Sequence, residues 1–224
     1  MIKYFLDALK CVVEGREVSY FLEGKIKDLG NALTIKDNEA IVKFILNNEN
    51  ASGCFRYLNK KKLLQHIFVP LHNLKAVAQN KKKSKNAFEH TIRVLDCVPV
   101  KDIDLRWVAL FHDLGKSECL KDNDNFIYHN VYSAGLTDTY CEIFNIPRSH
   151  KIRKIVYNHM LPQDYQRNPV WTDETIKKFI ERCKPSYVEE TIWFAYYDKQ
   201  GENNVPAYLQ PYLDLIEKVK RLNA

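Results

Sequence analysis

Glycine and proline are scarce in this sequence, seven and eight among 224 residues. With so few breakers, and with segments of 3.6-residue periodicity outnumbering alternating ones, the chain reads as mostly helical with few strands or none. No stretch comes near the roughly 20 apolar residues a membrane span requires, so no helical membrane anchor is expected. There is no Cys-x-x-Cys pair: the six cysteines, at 11, 54, 97, 119, 141 and 183, are scattered, with no secretory segment ahead of them. Reduced thiols in a soluble, cytoplasmic protein are the simplest expectation. Internal repeats and low-complexity tracts are also missing, and the length suits one large domain or one domain with a smaller helical extension.

What is present is apolar material and positive charge. A hydrophobic share of 46% is enough to build a real core, and the formal net charge is +6. Part of that excess is local, in Lys60-Lys61-Lys62 and in Lys81-Lys82-Lys83-Ser84-Lys85. Such runs are commonly solvated loops or helix ends. Beside a phosphate-processing site they would raise the local concentration of polyanions and favour nucleotides or RNA over neutral substrates.

The first 80 residues read as short amphipathic helices, with Ile2, Phe5, Leu6, Leu9, Val12 and Val13 on one face, then Ile41, Phe44 and Ile45. His66 and His72 lie near Pro70 in an apolar connector and read as structural or surface residues. The polar stretch from Lys81 to Asn86 is the boundary candidate, dividing an N-terminal helical extension over 1–80 from a domain over 86–224. Helices are expected near 87–98, 103–115, 129–144, 149–160, 173–183, 186–199 and 206–222. The stretches 121–128 and 160–168 read as loops.

Three of those helices end an apolar stripe on a polar side chain. Leu105, Val108, Ala109 and His112 share one face at i, i+3, i+4 and i+7; so do Ile152, Ile155, Val156 and His159, and Thr191, Phe194, Ala195 and Asp198. A carboxylate on a buried stripe is costly unless something pairs with it or coordinates it. A divalent cation would meet that need for all three helices together.

Phe88-Glu89-His90-Thr91-Ile92-Arg93-Val94-Leu95-Asp96, Ala109-Leu110-Phe111-His112-Asp113-Leu114-Gly115-Lys116, Tyr128-His129, Asn158-His159-Met160 and Asp198-Lys199-Gln200-Gly201 follow in that order. This series resembles the HD superfamily of metal-dependent phosphohydrolases, and more narrowly the HD domain attached to bacterial tRNA nucleotidyltransferases and their poly(A) polymerase relatives. The resemblance runs from about residue 86 to the end, including Tyr208-Leu209-Gln210-Pro211-Tyr212. Gly53-Cys54-Phe55-Arg56-Tyr57-Leu58 through Phe68-Val69-Pro70-Leu71 is a fainter echo of the helical neck that precedes that domain. It implies an all-α, HD-domain-like helical bundle with a neck-like N-terminal extension. Two departures stand out. No Gly-Ser followed by an acidic Asp-x-Asp strand is found in front, so nucleotide addition is not implied. Where the family tends to have Gly-His-Glu this chain has Tyr128-His129-Asn130, so no role carries over to an acidic neighbour.

His90, His112, Asp113 and Asp198 would then form a four-ligand site, and Asp113 could bridge to a second ion held by His129 and His159. Imidazole and carboxylate ligands without thiolates suit one or two divalent cations among Mn, Ni, Co, Fe, Mg and Zn, and argue against a structural zinc site. A two-metal site of that kind activates a water for in-line attack on phosphorus, with His112 and Asp113 at its heart. Lys116 would meet a phosphate oxygen as charge develops, provided the helix carries past Gly115. Arg148, at a helix start beside His150, is a second phosphate-binding candidate. The resemblance implies a nucleotide or an RNA 3′ end as substrate, as a phosphomonoester or a 2′,3′-cyclic phosphodiester. Two other readings stay open at this point: a di-iron oxygenase, which some HD proteins are, and a non-catalytic RNA-binding module.

Overall fold

The structure, a computed structural model, describes residues 2–29, 32–78, 86–122, 126–167, 170–202 and 208–223. Among the described residues it is an all-α helical bundle with no strand; an isolated antiparallel bridge joins Ala78 to Asn86. The N-terminal helices are α1 (Ile2–Val13), α2 (Tyr20–Leu29), α3 (Ile35–Leu46), α4 (Ala51–Lys60), α5 (Leu64–Ile67) and α6 (Val69–Asn73). There follow α7 (Ala87–Cys97), α8 (Ile103–Phe111), α9 (Lys116–Asp122), α10 (His129–Ile143) and α11 (Ser149–Asn158). The last four are α12 (Leu161–Arg167), α13 (Asp173–Cys183), α14 (Val188–Glu202) and α15 (Gln210–Asn223). No described helix is long and apolar enough to cross a membrane.

Side-chain caps begin several helices where polar sequence gives way to periodic sequence. The Asn86 side chain accepts from the backbone N–H of Glu89 at 3.0 Å and so starts α7. Thr34 and Asp37 form a reciprocal capping box at the head of α3, and Thr172 caps α13. The expected apolar stripes face inward: Val108, Ala109, Ile152, Ile155, Val156, Phe194 and Ala195 are all fully buried.

One core runs from Phe5 in α1 to Phe194 in α14, and it includes both Val77 and Ala87. Residues flanking the polar stretch expected as a domain boundary thus share a core, and residues 79–85, which contain the Lys81 to Lys85 run, lie outside the described residues. A smaller core gathers Tyr165, Phe179, Ile192, Tyr212 and Leu215 from α12 to α15. Arg106, fully buried in α8, donates from Nη1 to the Val98 carbonyl at 2.9 Å and from Nη2 to the Asn48 carbonyl at 2.7 Å. The N-terminal helices are thus tied directly to α8.

Two expectations need correction. The helix expected over 103–115 stops at Phe111, and the chain turns through residues 112–115 before α9 begins. The stretch 160–168, expected as a loop, contains α12. Pro162 is its second residue, where the missing N–H costs nothing because first-turn donors have no partner inside the helix.

Candidate metal centre

Two glycines let the helices that carry the candidate ligands come close. A Cβ on Gly201 of α14 would run into Val94 Cγ2 and come within 3.0 Å of the Val94 Cα on α7. Only hydrogen fits at that crossing. His90 lies one turn before Val94 and Asp198 one turn before Gly201, and the crossing places His90 Nε2 2.9 Å from Asp198 Oδ1. A Cβ on Gly115 would run into the His129 carbonyl oxygen and come within 2.5 Å of the Ser133 N. The Gly115 N–H instead donates to Ser133 Oγ at 2.9 Å. This contact explains why α8 ends early. The turn, closed by Leu114 N to Phe111 O at 3.2 Å and Lys116 N to Asp113 O at 2.9 Å, lays Asp113 against the start of α10.

The six residues His90, His112, Asp113, His129, His159 and Asp198 meet in one buried cluster, and the two oxygens of Asp113 divide it. Asp113 Oδ2 lies 3.6 Å from His90 Nε2 and 3.4 Å from His112 Nε2. The two imidazole Nε2 atoms are 3.3 Å apart, and Asp198 Oδ1 lies 3.5 Å from His112 Nε2. On the other side, Asp113 Oδ1 is 3.5 Å from His129 Nε2, which is 3.2 Å from His159 Nε2. Atoms bound to one cation at about 2.0–2.2 Å, in tetrahedral to octahedral arrangement, are about 2.8–3.6 Å from one another. The spacings within each group fall in that range.

Ring orientation supports the same conclusion. The Nδ1 atoms of His112, His129 and His159 lie 2.9, 2.6 and 2.7 Å from the carbonyls of Ala109, Phe126 and Val156, each three residues back. A carbonyl only accepts, so Nδ1 carries the hydrogen and Nε2 is turned into the cluster. Asp198 Oδ1 has no aligned hydrogen bond despite its 2.9 Å approach to His90 Nε2, which leaves its lone pairs unused inside the cluster. The buried His/Asp group can therefore hold a divalent cation, with Asp113 able to serve two positions.

The electrostatics of the cluster is compatible with a cation. Asp113 and Asp198 are 1% and 4% exposed, which by itself disfavours their charge. Burial pushes both carboxyls up, but the imidazoles of His112 and His90, with Lys116 beside Asp113, outweigh it and hold both well below the usual carboxylate range. Burial likewise opposes charge on His112, yet Asp113 and Asp198 raise it to about 10. Burial lowers His129 and takes His159 down to about 3, so these two imidazoles are neutral and ready to donate lone pairs.

The other expected site residues divide. Lys116, buried at the head of α9, reaches Asp113 Oδ2 at 2.6 Å across the turn rather than along a continued helix. Arg148, the other expected phosphate-binding residue, lies apart from the cluster: it is exposed in a separate cleft with Lys101, Trp193 and Tyr197, where it binds Asp104 at 2.9 Å. Packing of the start of α11 against α8 puts it there. His66 and His150 are exposed and His72 is half-buried, all apart from the cluster. Asn130, the residue in place of an acidic neighbour, donates to the Tyr157 carbonyl at 2.7 Å and fastens α10 to α11.

The cleft over the cluster has a volume of about 410 Å³, and α12 supplies Gln163 and Arg167 to its wall beside Phe126, Ile127 and Met160. The sequence places 160–168 as a stretch shaping the pocket, with its Gln side chains facing solvent or a base, but singles out neither Gln163 nor Arg167. A seven-residue helix is too short for a periodic signal, and neither residue stands in a motif. No protein-family model matches the chain, and no curated protein matches it.

Proposed function

We propose that this protein is a metal-dependent phosphohydrolase of the HD type, acting on a nucleotide or an RNA end as a phosphomonoesterase or 2′,3′-cyclic phosphodiesterase. The observation that carries the reading is the division of Asp113 between two imidazole groups at the floor of a cleft that also holds Lys116 and Arg167. His90, His112, Asp113 and Asp198 would hold one cation, and Asp113, His129 and His159 a second. Divalent cations so held supply Lewis acidity toward phosphate oxygens and lower the pKa of water at neutral pH.

The chain's own residues do the rest. Lys116 holds its ammonium against Asp113 at the cleft floor, where negative charge grows on a phosphoryl group in the transition state. Arg167 stands at the rim, its Nη1 3.6 Å from Asp164 Oδ1, both side chains exposed. A phosphate offers its guanidinium a better bidentate partner than that loose pair. Phe126, Ile127 and Met160 form the apolar part of the cleft wall. Cations in the lining favour a phosphate over the neutral substrate of a di-iron oxygenase.

With Mn²⁺, Ni²⁺ or Co²⁺, the purified protein is expected to hydrolyse 2′,3′-cyclic nucleotides, nucleoside monophosphates or RNA terminal phosphates, and His112→Ala and Asp113→Ala to abolish this. Inactivity across that panel with every metal overturns the proposal, as does iron-dependent oxygen uptake without hydrolysis.

A further inference from the structure

We infer that Gln163 is a positioning residue that sets one side of the centre by presenting a single oxygen of Asp198; this rests on the cation-binding reading above. Gln163 lies in the first turn of α12 and is 6% exposed, so its amide has given up water. Its Nε2 donates to Asp198 Oδ2 at 2.7 Å. The other oxygen, Oδ1, makes no hydrogen bond and faces the Nε2 atoms of His90 and His112 at 2.9 and 3.5 Å. One oxygen is fastened and its twin is left as the ligand atom. Without the amide, the carboxylate turns freely about its Cβ–Cγ bond, and nothing selects which oxygen is offered or whether both are.

His112, His129 and His159 are each held by a carbonyl three residues back, whereas His90 Nδ1 has no partner. The restraint also comes from another core. Tyr165, two residues further along α12 with its ring against Trp171, belongs to the C-terminal cluster, and its hydroxyl accepts from Lys218 of α15 at 3.0 Å. Docking of α12 on α14 and α15 therefore decides the geometry of Asp198.

The test is titration of metal-free protein with Co²⁺, followed by its visible absorption and by equilibrium dialysis. Wild type is expected to bind two ions per chain. Gln163→Met, which keeps length and loses the donor, is expected to weaken one position by about 10–100-fold and leave the other and its absorption bands in place. Gln163→Ala is expected to act on the same position. Identical titrations for wild type and Gln163→Met overturn the positioning role, and so does equal weakening of both positions, which marks a merely structural residue. Wild type that takes up no Co²⁺ overturns the cation-binding reading itself, so the two failures are told apart.

Discussion

The two sides of Asp113 are built from similar residues by different means. On the His129 and His159 side, both rings are pinned by carbonyls of their own local backbone, so orientation comes with the formation of α10 and α11. On the His90 and Asp198 side, His112 is pinned in the same way, but His90 has no such anchor, and Asp198 depends on a side-chain amide from α12. Both sides need several elements docked, but the rings of the first are fixed by backbone three residues away, and the carboxylate of the second by a side chain from another helix. In such a cluster the rings on one side are oriented by their own backbone, and the carboxylate on the other by how the C-terminal helices pack.

Asp113 belongs to both sides, so Asp113→Asn should erase the difference between them. Loss of both cations in dialysis and of hydrolysis to background is the expected result; retention of one ion would break the shared-ligand geometry. Gly115→Ala should act next most strongly. Its methyl group meets the His129 carbonyl and the Ser133 N–H, which are backbone and cannot step aside. A stability loss of about 2–3 kcal/mol is expected, read as a Tm drop of several degrees. Cation loss should fall chiefly on the His129 and His159 side.

Gly201→Ala is the matching probe of the other side, prying α14 from α7 and His90 from Asp198. Alanine's better helix propensity offsets about 1 kcal/mol of the clash, so the stability change should be smaller while Co²⁺ binding weakens at the His90 position. If both glycine variants weaken the same position, the comparison fails.

Lys151→Met should have the smallest effect and no side preference. Lys151 binds Asp104 of α8 at 2.9 Å and Glu190 of α14 at 2.6 Å, bracing helices that serve both sides. Burial alone would raise the Asp104 carboxyl, but Lys151 and Arg148 outweigh it and hold it below its ordinary value. The stabilisation from a depressed carboxyl is present in full above the unfolded-state pKa, about 3.9, and is lost as pH falls through the lower folded-state value. The variant should therefore lose about 1 kcal/mol at neutral pH, allowing for partial exposure. The deficit should shrink below pH 4 in thermal melts, with both cation affinities unchanged.

Much of this was legible in the chain because buried faces leave a period. The stripes ending on His112, His159 and Asp198 point to the interior in the structure as their spacing requires, and helical content followed from scarce breakers and long periodic segments. The early end of α8 was not legible. Gly115 ends it through a contact with the backbone around His129 and Ser133, and no local pattern announces a tertiary approach. Gln163 reads as one polar residue after a proline, and Arg148 and Arg167 look alike until packing sends one away and the other to the cleft.

Arg106 bears on cooperativity. Its guanidinium spans the Val98 and Asn48 carbonyls inside the core, and its Nε has no hydrogen-bond partner. If the N-terminal helices peeled away, the Asn48 bond would break and a buried charge would lose one of its few partners. Helices α3 and α4, which flank Asn48, are therefore bound into the unfolding unit that contains α7 and α8, and fraying of the chain's first third is coupled to loss of the helix that delivers His112 and Asp113.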